Sequence, residues 1–320
     1  MPQLCSVICL AYNHERFAAA ALQSIYEQEW PNIEIIVLDD GSIDSTVEVV
    51  REKLKESPFP VKLTTQSNTG NVPQNFNRGL SQATGSFVMF LSLDDMLLPG
   101  CIESRMQLLE TDVRVVFAAD VGYQEINENG AVIGAEGQMP VATHQISDAA
   151  ALLEAEYETI GTFYIQGQIF RRDAVYAVGG FDEGMTGDDI VLRTKLFYHL
   201  IANPELRFSL GKRMVLGYRR HDGNLHRRFH RQFRTVIEWK KKFFPDRTYP
   251  KKFFSWLENC FQEYVRGNVS EEELANIVAL DPLIAEVYKE FRSRRKTRRR
   301  LFRKRLTSLF GLVGTRTQKG

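Results

Sequence analysis

The sequence holds four cysteines in 320 residues, Cys5, Cys9, Cys101 and Cys260, and none of them forms a CxxC pair. That scatter argues against a disulfide framework or a cysteine zinc site and suits a reducing compartment. No apolar run approaches the ~20 residues a membrane-spanning helix needs. The N-terminus, MPQLCSVICLAYNH, enters its apolar stretch with no basic residue before it, so a secretory signal is not expected. Glycine-rich nucleotide loops are missing too. No GxGxxG follows the first strand-like run, and no GxxxxGK[ST] occurs, which argues against dinucleotide-binding and P-loop proteins. A sugar nucleotidyltransferase would want a glycine-rich, basic loop there, and Leu10-Ala11-Tyr12-Asn13-His14 is not one.

What is present is an ordinary globular composition, 43% apolar and 25% charged, in a length that suits one large domain or two small ones. The net charge of +1 conceals a polarised chain. From Arg292 to Gly320 there are twelve Lys or Arg and no acidic residue, whereas the rest carries 29 basic against 40 acidic side chains. An acidic body with a basic tail suggests separate jobs. A body that repels anions must gather an anionic substrate locally, through a metal or oriented backbone amides.

The first third alternates strand-like and helical runs. Leu4–Leu10, Glu34–Leu38, Val61–Thr65 and Phe87–Leu91 read as strands. Helices are expected over Asn13–Gln28, Ser45–Glu56 and Pro73–Ala83. This order predicts an α/β fold with a mostly parallel sheet flanked by helices. Ligands of such sheets sit beyond the C-terminal strand ends. Here those ends carry Tyr12-Asn13, Asp39-Asp40 and Asp94-Asp95. Further on, Arg114–Ala119 and Met214–Tyr218 read as strands, Ser147–Glu158 and Asp188–His199 as helices. After His226 the pattern is helical throughout, with a capping box at Ser270–Glu273. The chain divides into 1–225, an α/β domain whose strand ends carry the polar residues, 226–291, a helical extension, and 292–320, a basic amphipathic tail.

Four runs in order carry a resemblance. VICLAYNHERFAAAALQSIYEQEWPNIEIIVLDDGSIDST resembles the opening of family 2 glycosyltransferases, which have the GT-A fold. NTGNVPQNFNRGLSQATGSFVMFLSLDD is similar to that family's asparagine-glycine loop and aspartate metal motif. IFRRDAVYAVGGFDEGMTGDD resembles its acceptor-side loop, and YRRHDGN a C-terminal element. Together they cover about two thirds of the chain. The resemblance implies a GT-A sheet with a C-terminal helical extension. It also implies an inverting enzyme that moves a sugar from a nucleotide sugar, a UDP-sugar by expectation, to a saccharide or lipid-linked acceptor. Cell-surface polysaccharide or glycolipid synthesis is the expected setting.

The chemistry accounts for the residue types. Uracil presents an N3–H donor, which a carboxylate at a strand end can identify; the resemblance gives this role to Asp40, with Tyr12 beside the base and Asp39 in the same binding set. A departing diphosphate needs its charge neutralised, and hard oxygen ligands suit Mg²⁺ or Mn²⁺. By resemblance Asp95 contacts this divalent cation and Asp94 the ribose or the metal shell. His221 contacts the diphosphate or completes the metal shell, with Arg219 or Arg220 near the phosphates. Asp189, second of an Asp-Asp pair, is the expected general base. Taken alone, these motifs have plainer readings: a turn at Asp39–Ser42, a solvated acidic loop at Asp94-Asp95, and a helix start at Asp188-Asp189. The chain departs from the family at Ser92, where many relatives have Asp. A catalytically inactive GT-A-fold binding or scaffolding protein is the alternative that this departure favours. Within the tail, Leu301, Phe302, Leu306, Leu309, Phe310 and Val313 form an apolar stripe among basic residues. An anionic membrane surface is therefore the expected partner, ahead of a solvated tail and of nucleic acid. The expected location is cytoplasmic, on the inner face of the cytoplasmic membrane.

Overall fold

A computed structural model of the chain describes residues 1–221 and 229–294. The basic tail from residue 295 onward and the end of the YRRHDGN run lie outside the described residues. The chain divides into two compact units, Met1–Leu225 with Glu238–Pro250, and His226–Ile237 with Lys251–Gly320.

The first unit begins with β1 (Cys5–Ala11), α1 (Ala18–Tyr26), β2 (Ile33–Asp39), α2 (Thr46–Leu54), β3 (Val61–Thr65), α3 (Val72–Gln82) and β4 (Phe87–Ser92). These strands lie parallel in the order β3-β2-β1-β4. Both faces of β1, β2 and β4 are covered, which is why they read as mostly apolar, β-branched runs, whereas the edge strand β3, VKLTT, is largely accessible. Val7 of β1 packs with Ile35, Met89 and the α1 residues Leu22 and Ile25 in one layer. Its neighbour Ile8 points the other way, to Ile36, Phe90 and the α3 residues Phe76 and Leu80.

Register places the site. Ala11 pairs with Asp39, and Leu10 with Ser92, so β1, β2 and β4 end level with one another. The polar residues that follow each strand are thereby delivered to one edge. Next come β5 (Met96–Leu97), α4 (Glu103–Thr111), β6 (Val115–Ile126), β7 (Val132–Gln138), α5 (Ala149–Thr159), β8 (Ile169–Arg171), α6 (Arg172–Ala177), α7 (Asp189–Ala202) and β9 (Arg207–Arg219). In this half the sheet is mixed. β8 pairs antiparallel with β4 and β6, while β9 runs parallel to β6 and antiparallel to β5. The β5–β9 pairing, Met96 opposite Gly217, brings the last residues of β9 beside Asp94-Asp95.

The loop ahead of α7 is anchored by ring packing. Phe181 stacks on Phe76 at 4.9 Å and meets Phe90 edge-on at 5.0 Å. Asn77 fixes the backbone of Phe181 by accepting its N–H at 2.8 Å and donating to its carbonyl at 3.0 Å. Helix α8 (Phe229–Phe243) supplies its last residues to this unit, and Trp239 donates its indole N–H to Thr194 of α7 at 2.8 Å.

The second unit contains the first part of α8, α9 (Lys251–Arg266), α10 (Glu271–Val278) and a helix over 282–294. Phe233 meets Phe253 at 5.7 Å, and Phe261 meets Tyr288 and Phe291 at 5.0 and 5.4 Å. Ser270 caps α10 by accepting the Glu273 N–H at 3.0 Å. Among the described residues no helix is long and apolar enough to cross a membrane.

Candidate functional site

At the end of β2, Asp39 is 1% exposed and its carboxylate closes the turn by accepting the N–H groups of Gly41 and Ser42 at 3.1 and 3.0 Å. The same carboxylate takes the Ser42 hydroxyl, and Ser42 Oγ in turn accepts the Asn13 N–H at 2.9 Å. Asp39 therefore builds the strand-end loop. Asp40 faces the Gln66–Gly70 segment: its oxygens accept from Gln66 Nε2 at 2.7 Å, the Thr69 N–H at 2.9 Å and the Gly70 N–H at 3.2 Å. Gly41, at φ +74°, lets this segment approach; a Cβ there would lie 2.5 Å from the Asn68 nitrogen. Tyr12, the residue after β1, is 44% exposed.

Asp94 and Asp95 follow β4. Asp95 is 1% exposed and accepts the Arg219 N–H at 2.8 Å. Burial and the neighbouring Asp94 charge raise its carboxyl well above the usual range, against the pull of Arg219 and Gln166. For Asp94, burial works in the same direction but is outweighed by His14 and by hydrogen bonds from His221 and Ser92, which hold it below that range. His221 Nε2 lies 3.2 Å from Asp94 Oδ2, and its ring packs on Phe17 at 4.8 Å. Asp94 Oδ1 is buried with no hydrogen-bond partner. A buried orphan carboxylate oxygen beside a second carboxylate is a natural place for a cation.

Arg219, the last residue of β9, and Arg220, just past it, have different surroundings. Arg219 is 1% exposed; its guanidinium donates to the carbonyls of Asp94, Asn127 and Glu128 at 2.6, 2.9 and 2.8 Å and lies over the Phe17 ring. It braces the acidic turn from within. Arg220 pairs with Glu125 and lies over the Tyr218 ring at 5.3 Å.

Asp189 begins α7 immediately after Asp188. Its Oδ2 accepts the Ile165 N–H at 3.2 Å and lies 3.4 Å from Arg193 Nη1. Burial, reinforced by the Asp188 charge and opposed by Arg193, pushes its carboxyl up to about 7. A carboxylate poised there is suited to accept a proton at neutral pH. Tyr164 and Tyr218 stack at 5.3 Å; the Asp95 charge acts on both hydroxyls and the Asp189 charge on that of Tyr164.

The structure thus gathers Asp94, Asp95, His221 and the Arg219 backbone at one place, with Asp40 and Tyr12 on adjoining strand ends. The model of the family described as "Glycosyl transferase family 2" matches residues 6–179. The chain belongs to glycosyl transferase family 2.

Similar proteins agree with this membership. An uncharacterized glycosyltransferase of Escherichia coli K12, YibD, is 27% identical over 247 residues, covering 74% of this chain and 67% of that one. A GalNAc(5)-diNAcBac-PP-undecaprenol beta-1,3-glucosyltransferase of Campylobacter jejuni is 41% identical over 108 residues, covering 33% of this chain and 34% of that one. The chain therefore spans about a third of the length of some curated relatives that it matches. Among solved structures, Staphylococcus aureus TarS 1-349 in complex with UDP-GlcNAc has a TM-score of 0.59 at 19% identity, covering 88% of this chain and 81% of that one. The mannosyltransferase PcManGT from Pyrobaculum calidifontis, in complex with GDP-Man and Mn2+, has a TM-score of 0.58 at 19% identity, covering 92% and 76%. The fold is that of the GT-A glycosyltransferases.

Several residues around the site of this family 2 chain escape a reading of motifs. His14 has Nε2 4.0 Å from Asp94 Oδ2, and burial pushes its imidazole below the ordinary value, against the pull of Asp94. Gln66 and Thr69 hold Asp40, and Gln166 accepts the Ser92 N–H at 2.7 Å. Ser92, which marks the departure from the family pattern, has its N–H held by Gln166 and helps keep the Asp94 carboxyl below the usual range. A concavity of about 880 Å³ lined by Val141, Leu200, Phe208 and Lys212 contains none of these residues.

Proposed function

We propose that the chain is an active inverting glycosyltransferase that moves a sugar from a nucleotide sugar, preferentially a UDP-sugar, to an acceptor hydroxyl. The observation that carries this reading is the acidic edge of the sheet, where Asp40 follows β2, the Asp94-Asp95 pair follows β4 at the same level, and His221 closes on Asp94. The base would rest on Tyr12, and its N3–H would replace one of the donors now held by Asp40.

A divalent cation, Mn²⁺ or Mg²⁺, would be held by Asp95 and Asp94 with His221 beside them. Among the described residues no group of three or more His, Cys, Asp or Glu side chains is arranged to hold a metal ion. Mg²⁺-type sites need only one or two carboxylates, which share the ion with substrate phosphates. The orphaned Asp94 Oδ1 fits the same role. When bound, the ion neutralises charge developing on the leaving diphosphate.

Asp189 takes the proton of the acceptor hydroxyl as its oxygen attacks the anomeric carbon from the face opposite the diphosphate. One displacement inverts that carbon. Arg219 keeps the Asp94 turn in place through backbone carbonyls. Ser92 helps keep the Asp94 carboxyl below the usual range, which supports the active reading over an inactive scaffold. The acceptor is proposed to be a saccharide or lipid-linked saccharide in cell-surface polysaccharide or glycolipid synthesis. The basic tail is proposed to hold the enzyme on the cytoplasmic face of an anionic membrane, through its charge and apolar stripe.

A thermal-shift comparison of UDP, GDP and CDP, with and without Mn²⁺, tests the donor reading, because a ligand of the folded state raises stability. UDP with Mn²⁺ is expected to give the largest shift, and Asp40→Ala to remove the preference. A larger shift with GDP would overturn the uridine assignment.

A further inference from the structure

Behind Asp189 lies a buried ionic network that proton transfer alone does not require. Arg193, one turn along α7, is 3% exposed, and Glu156 of α5 is 0% exposed. Arg193 Nη2 donates to Glu156 Oε1 at 2.9 Å, and Nε donates to Oε1 and Oε2 at 3.1 and 3.2 Å. Glu156 Oε2 also accepts the N–H and hydroxyl of Thr162 at 2.9 and 2.5 Å. The remaining guanidinium nitrogen, Nη1, donates to the Phe163 carbonyl and lies 3.4 Å from Asp189 Oδ2. Ile165 N–H reaches that same oxygen at 3.2 Å.

Burying such a pair gives little net stability, because desolvation offsets the attraction. Its geometry, however, has a directional result: both contacts fall on Oδ2 of Asp189. We propose that Arg193, backed by Glu156, is the positioning residue for the base, holding Oδ2 so that Oδ1 faces the acceptor hydroxyl. This rests on the reading of Asp189 as base. In the transfer, the acceptor O–H bond breaks and its proton forms a bond to Oδ1. The acceptor oxygen bonds to the anomeric carbon, and the bond from that carbon to the diphosphate breaks with its electron pair leaving on the nucleoside diphosphate. Oδ2 keeps its contacts throughout.

Among the described residues, the charged and titratable groups that act on Asp189 are Asp188 just before it, Arg193 one turn on, Glu156 from α5 and the Tyr164 hydroxyl. Arg193 and Glu156 act on its carboxyl in opposite directions, which gives the test its sign. Aspartate carboxyls are labelled with ¹³C and titrated by NMR, Asp189 being identified by its loss in Asp189→Asn. In Arg193→Gln the Asp189 midpoint is expected to move up by about one pH unit, in Glu156→Gln to move down, and in Arg193→Lys to stay near wild type. UDP release from a UDP-sugar with water as acceptor is expected to fall at least ten-fold in kcat in Arg193→Gln, with donor KM unchanged and partial rescue by Arg193→Lys. A retained thermal shift with UDP reports that each variant is folded. Should Arg193→Gln fail to fold, the downward shift in Glu156→Gln and the rescue variant carry the test.

An unmoved midpoint in the folded variants, or shifts of the same sign in Arg193→Gln and Glu156→Gln, would overturn the proposal. An Asp189→Asn variant that still turns over removes the base reading itself. An inert Asp189→Asn beside an unaffected Arg193→Gln removes only the positioning role.

Discussion

Replacing Asp189 by Asn should make the protein more stable at alkaline pH and leave it unchanged in acid. The folded-state carboxyl is raised from 3.8 to about 7, chiefly by burial and then by Asp188. Each pH unit of such a shift corresponds to ~1.4 kcal/mol, so the folded state loses about 4 kcal/mol when the group ionises. The sign follows from proton counting. Below pH 4 both folded and unfolded chains keep this proton, and the carboxyl has no effect on stability. Between pH 4 and 7 the unfolded chain releases it while the folded chain retains it, so stability falls as pH rises. Above 7 the loss is complete. Asn cannot ionise, so the gain of Asp189→Asn over wild type should grow from near zero at pH 4 to about 4 kcal/mol at pH 8. Urea denaturation of both proteins at several pH values measures it, with the slope of each transition checked for constancy. A difference that is flat between pH 4 and 8 would refute the reasoning, because it would mean that the carboxyl titrates alike in both states. A base kept at this cost is the kind of compromise expected where function opposes stability.

Other outcomes follow from the same structure. Asp95→Ala should abolish the Mn²⁺-dependent part of UDP binding by calorimetry, since it removes one of two carboxylates at the proposed cation site; unchanged metal dependence would place the ion elsewhere. Gly41→Ala should lower stability by about 2–3 kcal/mol in urea titration, because it combines a positive φ with a Cβ 2.5 Å from the Asn68 nitrogen. A cost below ~0.5 kcal/mol would show that the Gln66–Gly70 segment moves freely. Deleting residues 292–320 should remove flotation with anionic vesicles while leaving UDP binding intact, and binding by full-length protein should weaken with salt. Equal flotation of both forms would leave the tail without a membrane role.

The parallel half of the fold was legible because buried strands such as Glu34–Leu38 are unbroken apolar runs that end abruptly in Asp-Asp or Tyr-Asn. Expected and observed strands there agree closely, with β3 at Val61–Thr65 in both. Elsewhere the period fails. β5 and β8 have two and three residues, too few for any pattern. The first half of β9, RFSLGKR, is largely accessible and carries polar side chains, so only its end from Met214 reads as strand. Helix α4, ESRMQLLET, buries just Arg105, Met106 and Leu109 and shows no clear stripe. The candidate site was legible where motifs name residues, and opaque where function depends on partners. Arg219 looks like a phosphate ligand by type, yet its place in β9 turns the guanidinium inward onto carbonyls. Glu156 and Arg193 belong to no motif, and nothing local records that α5 and α7 bury them against each other. His14, expected in the first turn of a helix that in fact starts at Ala18, becomes a neighbour of Asp94 only through the level ends of β1 and β4.

Catalysis by Asp189 is most directly tested by nucleoside diphosphate release from UDP-sugars with Mn²⁺, comparing wild type with Asp189→Asn while UDP binding is followed in parallel. The account predicts turnover by the wild type and a loss of 10²–10⁴-fold in the variant, the usual contribution of a general base, with UDP bound equally well by both. Wild-type-like turnover in Asp189→Asn would contradict it.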